Sequence, residues 1–367
     1  MCYGKHLEVI ISPEAQIARR TDAKQKVASA LLVVLALAAL AYFVWQIQKA
    51  GFNWTKFTDS FRQANPFWLT LAIITSFLTY PGRALRWRIL MRPVSQHARV
   101  WNLINATIVG FSAIVLFGRA GEMVRPYLIA RKERVTIASQ VAAWILERVY
   151  DLLAVLLIFG YALTQVQENV AGLGTGLQWV VRTGGYLTAF ICLVCIVILG
   201  GMRWFSGPME RRFLDSITFL PENVQLKLRE LVQAFTAGVK STRSGTFTLL
   251  ILGYTVLEWV IIFGCNYFLF KSFPATAHLG VRETLIYLSF VAFGSIVQIP
   301  GIGGGMQVVS IVVLRELFGL GLEEATGVTV LIWLATYVVV VPVGVLVALR
   351  EGLNWGGLKH ISAEEAS

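Results

Sequence analysis

The chain has 367 residues and a formal net charge of +11, with 56% hydrophobic and only 14% charged residues. Soluble domains carry about 25% charged residues, so this composition argues against a soluble enzyme and for a chain built into lipid. The excess of Lys and Arg lies in short loops beside apolar runs, which is the pattern of positive-inside topology and not of nucleic-acid recognition.

Residues 1–26 are polar and mixed in charge, with no apolar core before residue 27, so they read as a cytoplasmic tail rather than a cleaved signal. Apolar runs long enough to cross a bilayer follow at about 27–47, 66–86, 138–164, 184–202, 246–270 and 326–349. Two further apolar regions do not read as simple spans. One, 100–118, ends in Gly118-Arg119-Ala120-Gly121-Glu122-Met123-Val124-Arg125-Pro126. The other, 284–318, is too long for one straight span and is broken by Pro300-Gly301-Ile302-Gly303-Gly304-Gly305.

The distribution of Lys and Arg decides how these two regions are threaded. If both dip into the membrane and return on the side they entered, the inner segments hold 24 Lys and Arg and the outer ones 6. The expected fold is therefore an all-α polytopic membrane protein with six full transmembrane helices and two re-entrant helical hairpins, at about 100–136 and 284–318. The transmembrane domain covers 27–349, with a cytoplasmic amphipathic loop at 203–245 and a cytoplasmic tail at 350–367. Both termini then face the cytoplasm, which places the protein in the inner (plasma) membrane.

Sliding the chain by 182 residues sets Val109, Phe111, Ile114, Val115 and Gly121 on Val291, Phe293, Ile296, Val297 and Gly303. At this offset the second span overlays the fifth, one hairpin the other, and the third span the sixth. Each pair runs in opposite directions, the signature of an inverted repeat with its ligand site between the halves.

Charges inside apolar runs mark the candidate site, because each costs several kcal/mol in the bilayer. Arg119, Glu122 and Arg125 recur at i, i+3 and i+6 after an apolar run, and the arginine fork suits a phosphate. Free N–H groups at the start of the return helix also favour an anion. Glu147, Arg148 and Asp151 interrupt the third span, with Glu147 and Asp151 on one face at i, i+4. The alternative reading is an ion-pair staple between helices. Gly301, Gly303 and Gly304, followed by Gln307, form a third element, because irregular backbone at membrane depth must be buried or line a cavity. Arg83 and Arg86 around Trp87 read as a cytoplasmic-side anchor, with headgroup contact as the alternative. Glu258 is a lone mid-span acid expected to find an interhelical partner.

Cys192 and Cys195 form a CxxC inside an apolar span and read as packing residues, and the four histidines have no metal-ligand spacing. No metal and no cofactor are expected.

In order and spacing, Arg83-Ala84-Leu85-Arg86-Trp87, Gly118 to Arg125, Glu147-Arg148-Val149-Tyr150-Asp151 and Pro300 to Gly305 resemble the flippase-like membrane domain of lysylphosphatidylglycerol synthases, which also occurs as a stand-alone protein. The resemblance spans nearly the whole chain. It implies movement of a phospholipid between leaflets, or a link to polyprenyl-glycan or hopanoid pathways. Gln307 stands where the family often has an acid, and no soluble aminoacyl-transferring domain is expected. The function expected is a lipid flippase or lipid-binding transporter that is not itself an enzyme. Arg119 and Arg125 would hold an anionic headgroup, with Glu147, Arg148 and Asp151 lining its path. The expected partner is a membrane phospholipid or a polyprenyl-phosphate lipid. Self-association and a separate lipid-modifying enzyme are left open. The alternatives are an embedded enzyme or partner subunit of a polyprenyl-phosphate glycan or hopanoid pathway, and a structural scaffold.

Overall fold

A computed structural model describes residues 52–166, 175–204, 225, 229, 232–233, 245–296, 298–299 and 303–352. Contacts divide the chain into a unit ending at Trp54 and a unit from Thr55 onward, and the site lies in the second. The expected span at 27–47, nearly all of the 203–245 loop, the tail beyond 352 and Gly301 lie outside the described residues.

In chain order the helices are α1 (Trp54–Arg62), α2 (Pro66–Leu90), α3 (Val100–Phe117), α4 (Val124–Glu133), α5 (Ile137–Val166), α6 (Thr175–Trp204), α7 (Gly245–Ser272), α8 (Val281–Gly294), α9 (Gly305–Glu316), α10 (Leu322–Trp333) and α11 (Val340–Arg350). A tight 3-10 segment, Gly118–Met123, joins α3 to α4, and a π-helical turn, Leu334–Val338, joins α10 to α11. Among the described residues the sheet content is one antiparallel pair, Gln298–Ile299 against Gly303–Gly304, between α8 and α9. The protein is therefore all-α in architecture.

By length and composition, four described stretches are long and apolar enough to cross a membrane: Val100–Glu133, Thr183–Gly201, Gly245–Ser272 and Leu322–Arg350. Helices α2 and α5 have 25 and 30 residues. At 1.5 Å per residue both are long enough to cross, but they carry the charges that build the site.

The first stretch is not one straight rod. Asn102 donates to Glu133, and Gly110 and Gly121 lie against Arg125 and Ala113, so the chain folds back on α3. Gly118, at φ 65°, makes the turn, and a Cβ on Gly121 would come within 2.4 Å of the Ala113 backbone. Only glycine permits that approach. The second broken region behaves alike. Tyr287 of α8 meets Ser310 of α9 at 2.8 Å, Gly294 packs on Gly305 and Val309, and Gly303 and Gly304 turn the chain at φ 110° and 145°.

The 182-residue offset carries over to the elements. Adding 182 to Pro66–Leu90 gives 248–272, within α7, and adding it to Val124–Glu133 gives 306–315, within α9. Adding it to Ile137–Val166 gives 319–348, which overlays α10, the π turn and α11. Packing follows the same rule: α3 lies on α11, while its counterpart α8 lies on α5. Helices α2 and α7 pack against each other and run antiparallel. The Asn65 N–H donates to the Ser272 carbonyl at one end, and Arg83 reaches Glu258 toward the other. Two helices related in this way define a pseudo-two-fold axis across their length.

Candidate functional site

Arg86 is the hub. Its side chain is fully buried, and its guanidinium donates to Asp151 at 2.6 and 3.1 Å, to Glu147 at 2.7 Å and to Thr255 at 3.2 Å. It also pairs with Glu258 at 3.1 Å. This differs from the sequence expectation of an interfacial anchor. The acids that capture Arg86 sit on α5 and α7, far away in sequence, and Arg83 beside it is drawn to Glu258 at 2.7 Å. Glu258 thus has its interhelical partners, two arginines of α2.

Glu147 is equally enclosed and takes three arginines. Arg86 comes from α2, Arg125 from α4 forms a two-pronged pair, and Arg148 stands 3.7 Å away. Arg125 also lies over the Trp87 ring, 4.1 Å from its centroid, and the Trp87 indole donates to Gln140 at 2.8 Å. Buried charges are tolerable only when paired and hydrogen-bonded, and here each carboxylate has at least one arginine. The cluster joins α2, α4, α5 and α7.

Arg119 is placed differently. The segment it sits in is 3-10, with three residues per turn, so Arg119 and Glu122 lie one above the other and pair at 2.5 Å. Its remaining donors reach across to the second hairpin and hold the Ile296 carbonyl at 3.0 and 2.6 Å. The expected grouping of Arg119, Glu122 and Arg125 on one side is thereby split, since Arg125 turns away to Glu147. Among the other expected residues, Gln307 caps α9 by accepting from the Gly304 N–H at 2.7 Å. Gly303 leaves no room for a Cβ beside the Gln307 side chain.

A cavity of about 430 Å³ opens between the two halves. Arg83, Arg119, Arg148, Asp151, Glu122 and Glu258 reach its wall, and both hairpins contribute to it. The volume falls in the usual range for small ligands. Arg148 is distinctive here. Its side chain keeps 39% of its surface accessible, and its carboxylate contact, Glu147, is long and already doubly paired. Its Nε has no partner. Among the described residues, six more buried polar atoms of residues on this wall lack a hydrogen-bond partner: Arg83 Nε, the Trp259 indole N–H, Gln298 Oε1, Glu122 Oε2 and both Glu258 carboxylate oxygens, which are held by Arg83 and Arg86 as ion pairs. Sequence reasoning missed Trp259 and Gln298. Trp259 continues an apolar run and Gln298, though polar, carries no charge, so a search for charges inside apolar runs marked neither. Among the described residues no group of three or more His, Cys, Asp or Glu could hold a metal ion.

Apolar helices long enough to cross a membrane, packed around a charged cavity, define an all-α membrane protein with an internal polar site. Residues 28–344 match the family described as the lysylphosphatidylglycerol synthase TM region, and the chain belongs to that family. It is 25% identical over 309 residues to a UPF0104 membrane protein of Methanothermobacter thermautotrophicus, covering 77% of this chain and 84% of that one. It is also 26% identical over 190 residues to the glycosyltransferase AglD of Haloferax volcanii, which is 47% of this chain but 29% of that protein. The match to AglD therefore leaves most of the glycosyltransferase uncovered.

Proposed function

We propose that the protein is a flippase-like lipid transporter of the cell membrane that takes an anionic lipid headgroup into the cavity between its halves and performs no chemistry on it. The observation that carries this reading is Arg148, a part-exposed cation on the cavity wall whose carboxylate contact, Glu147 at 3.7 Å, is already paired with two other arginines, whereas Arg83, Arg86 and Arg125 are held by close carboxylates. A space of about 430 Å³ suits a headgroup and leaves the acyl chains in lipid. The two broken regions act as hairpins entering from opposite faces, with both termini cytoplasmic, and the Arg119 grip on Ile296 holds their tips together.

This reading redistributes the roles expected from sequence. Arg148 meets the anion, Arg125 and Arg86 hold Glu147 and Asp151 in place, and Arg119 ties the halves. The test is transbilayer movement of headgroup-labelled lipids in reconstituted vesicles, comparing wild type with Arg148→Gln. Val330→Gln, at the matching position of the second half, serves as control. Movement should fall at least about tenfold in Arg148→Gln and persist in Val330→Gln, as expected when an interaction with a charged group is lost in a low-dielectric site. Equal movement in all three, or none in wild type for any anionic lipid, ends the transport reading. Cysteines placed at Ala120 and Ile302 should be labelled from opposite sides, and labelling from one side would remove the two-hairpin topology.

A second reading follows from the likeness to part of a protein named as a glycosyltransferase. On that reading the cavity presents a lipid-linked substrate to a separate enzyme. It predicts lipid binding without transbilayer movement.

A further inference from the structure

Each hairpin touches both halves of the molecule. The outgoing arm of the first, α3, packs on α11, where the Ser112 hydroxyl donates to the Val340 carbonyl at 3.2 Å. Its return arm, α4, is tied to α5 of its own half by Arg125 and Glu147. The second hairpin repeats the arrangement. Its outgoing arm, α8, packs on α5, where the Phe159 ring meets Phe290 and Phe293 at 5.2 and 4.9 Å between centroids. Its return arm, α9, is joined to α10 by Ser310 and Thr329 at 2.6 Å. A shift of one half against the other is therefore felt at both tips, as in the rigid-body transitions of packed helices.

The tips themselves are joined by a different kind of contact. Arg119 gives Nε and Nη2 to the Ile296 carbonyl, just past the end of α8, and Nη1 to Glu122. Its side chain keeps 49% of its surface accessible, whereas Arg86, Arg125 and Glu147 are buried. Breaking a buried ion pair strands a charge, but water from the cavity can replace Arg119 on the carbonyl at a part-exposed joint. Space also narrows at the tips. Beside the cavity of about 430 Å³ lies a second space of about 30 Å³, and Ile114, Val115, Ser295, Gln298, Met306 and Tyr337 line both. The smaller space has room for about one or two waters and for no larger group.

From these contacts we propose that Arg119 and the Ile296 carbonyl form a reversible latch that holds the hairpin tips together and keeps the passage between them closed. When the latch opens, the tips part and the small space widens into the cavity. Glu122 keeps its hold on the guanidinium, so Arg119 stays at the tip and re-engages when the halves return. The buried pairs on the arms persist in both states, which makes the part-exposed joint the element that decides between them. The latch is read from these contacts alone, while its role in passing a cargo rests on the transport reading above.

The experiment measures the distance between the tips by pulsed electron paramagnetic resonance on the purified full chain in lipid nanodiscs. Spin labels are attached to cysteines at Ala120 and Ile299, both exposed, in a background whose four native cysteines are replaced by alanine. With Arg119 in place, one short distance should dominate. In Arg119→Gln the fraction at longer distance should rise at least about fivefold, the effect of losing one charge-assisted contact from a two-state equilibrium. Should that variant fail to accumulate, Arg119→Lys, which keeps the charge but not the two-pronged grip, should show a smaller rise. A folded variant with an unchanged distribution overturns the proposal, as does a long distance that already dominates with Arg119 present.

The same two cysteines, bridged by a cleavable bifunctional thiol reagent that spans the short distance, lock the tips. In vesicles the lock should slow transbilayer movement of labelled lipid at least about tenfold, as expected when a gating step is blocked. Cleaving the reagent should restore the rate. Undiminished movement with the tips locked overturns the gating role. A distance shift in Arg119→Gln without lipid movement in any protein removes the transport reading and keeps the latch, and movement without the shift does the reverse.

Discussion

The two halves of the molecule share a framework and divide the chemistry. Adding 182 to the clustered site charges of the first half gives Cys265 for Arg83, Phe268 for Arg86, Gln307 for Arg125, Thr329 for Glu147, Val330 for Arg148 and Trp333 for Asp151. Each charge meets a neutral residue. Where the first half buries Glu147 among arginines, the second buries a hydroxyl chain in which Ser310 joins Tyr287 at 2.8 Å and Thr329 at 2.6 Å. Glu258 is the second half's contribution to the cluster, and its counterpart is Ser76. The common helix positions show that one helical framework carries either arrangement. The first half supplies most of the charges of the cavity, and the second supplies Glu258 and an otherwise neutral wall.

This contrast can be broken most forcefully at Glu147. Replacing it by Ala leaves Arg86 and Arg125 deficient in counter-charge inside the protein, a loss expected to cost about 3–5 kcal/mol. Thermal melting of the purified protein should register this as a large drop or as failure to accumulate. Next in size come the hairpin contacts, which the halves share. Gly121→Ala and Gly294→Ala place a Cβ 2.4 and 2.7 Å from neighbouring backbone, and each should cost about 1–3 kcal/mol through overpacking. Gly160→Ala, with open space around it, should not. At the neutral counterpart of Glu147, Thr329→Val removes a hydrogen bond and should cost about 1 kcal/mol by the same melting. The smallest effect on stability is expected at Arg148, where Gln should shift melting little. A melting loss at Arg148→Gln as large as at Glu147→Ala would mean that the arginine is a staple and not a ligand group.

Much of the fold was legible in the sequence because apolar runs mark helices directly. The runs at 66–86, 138–164, 184–202 and 246–270 correspond to α2, α5, α6 and α7, which begin and end within about ten residues of them. The 182-residue offset, carried by five identities around the hairpins, anticipates the matching elements. The pairing within the site was not legible. Arg86 and Glu147 lie 61 residues apart and Arg86 and Thr255 169 apart, and no local spacing indicates which arginine faces which acid. Reading Arg83 and Arg86 from their place at the end of an apolar run gave an anchor, whereas packing against α5 and α7 makes Arg86 the hub. The π turn at 334–338 was likewise invisible. Val339 donates to Leu334 five residues back, and Pro342, which has no N–H, follows three residues later. Such a turn satisfies backbone beside a proline and sets Thr336 and Tyr337 on the cavity wall.

The central claim is that one cation, Arg148, is left over from the buried cluster and meets the charge of the cargo. Its most direct test is transbilayer movement of a headgroup-labelled anionic lipid by folded Arg148→Lys and Arg148→Gln proteins in the same vesicles. The account predicts that Lys, which keeps the charge but not the fork, retains a substantial part of the wild-type rate while Gln loses nearly all of it. Wild-type rates in both would contradict it.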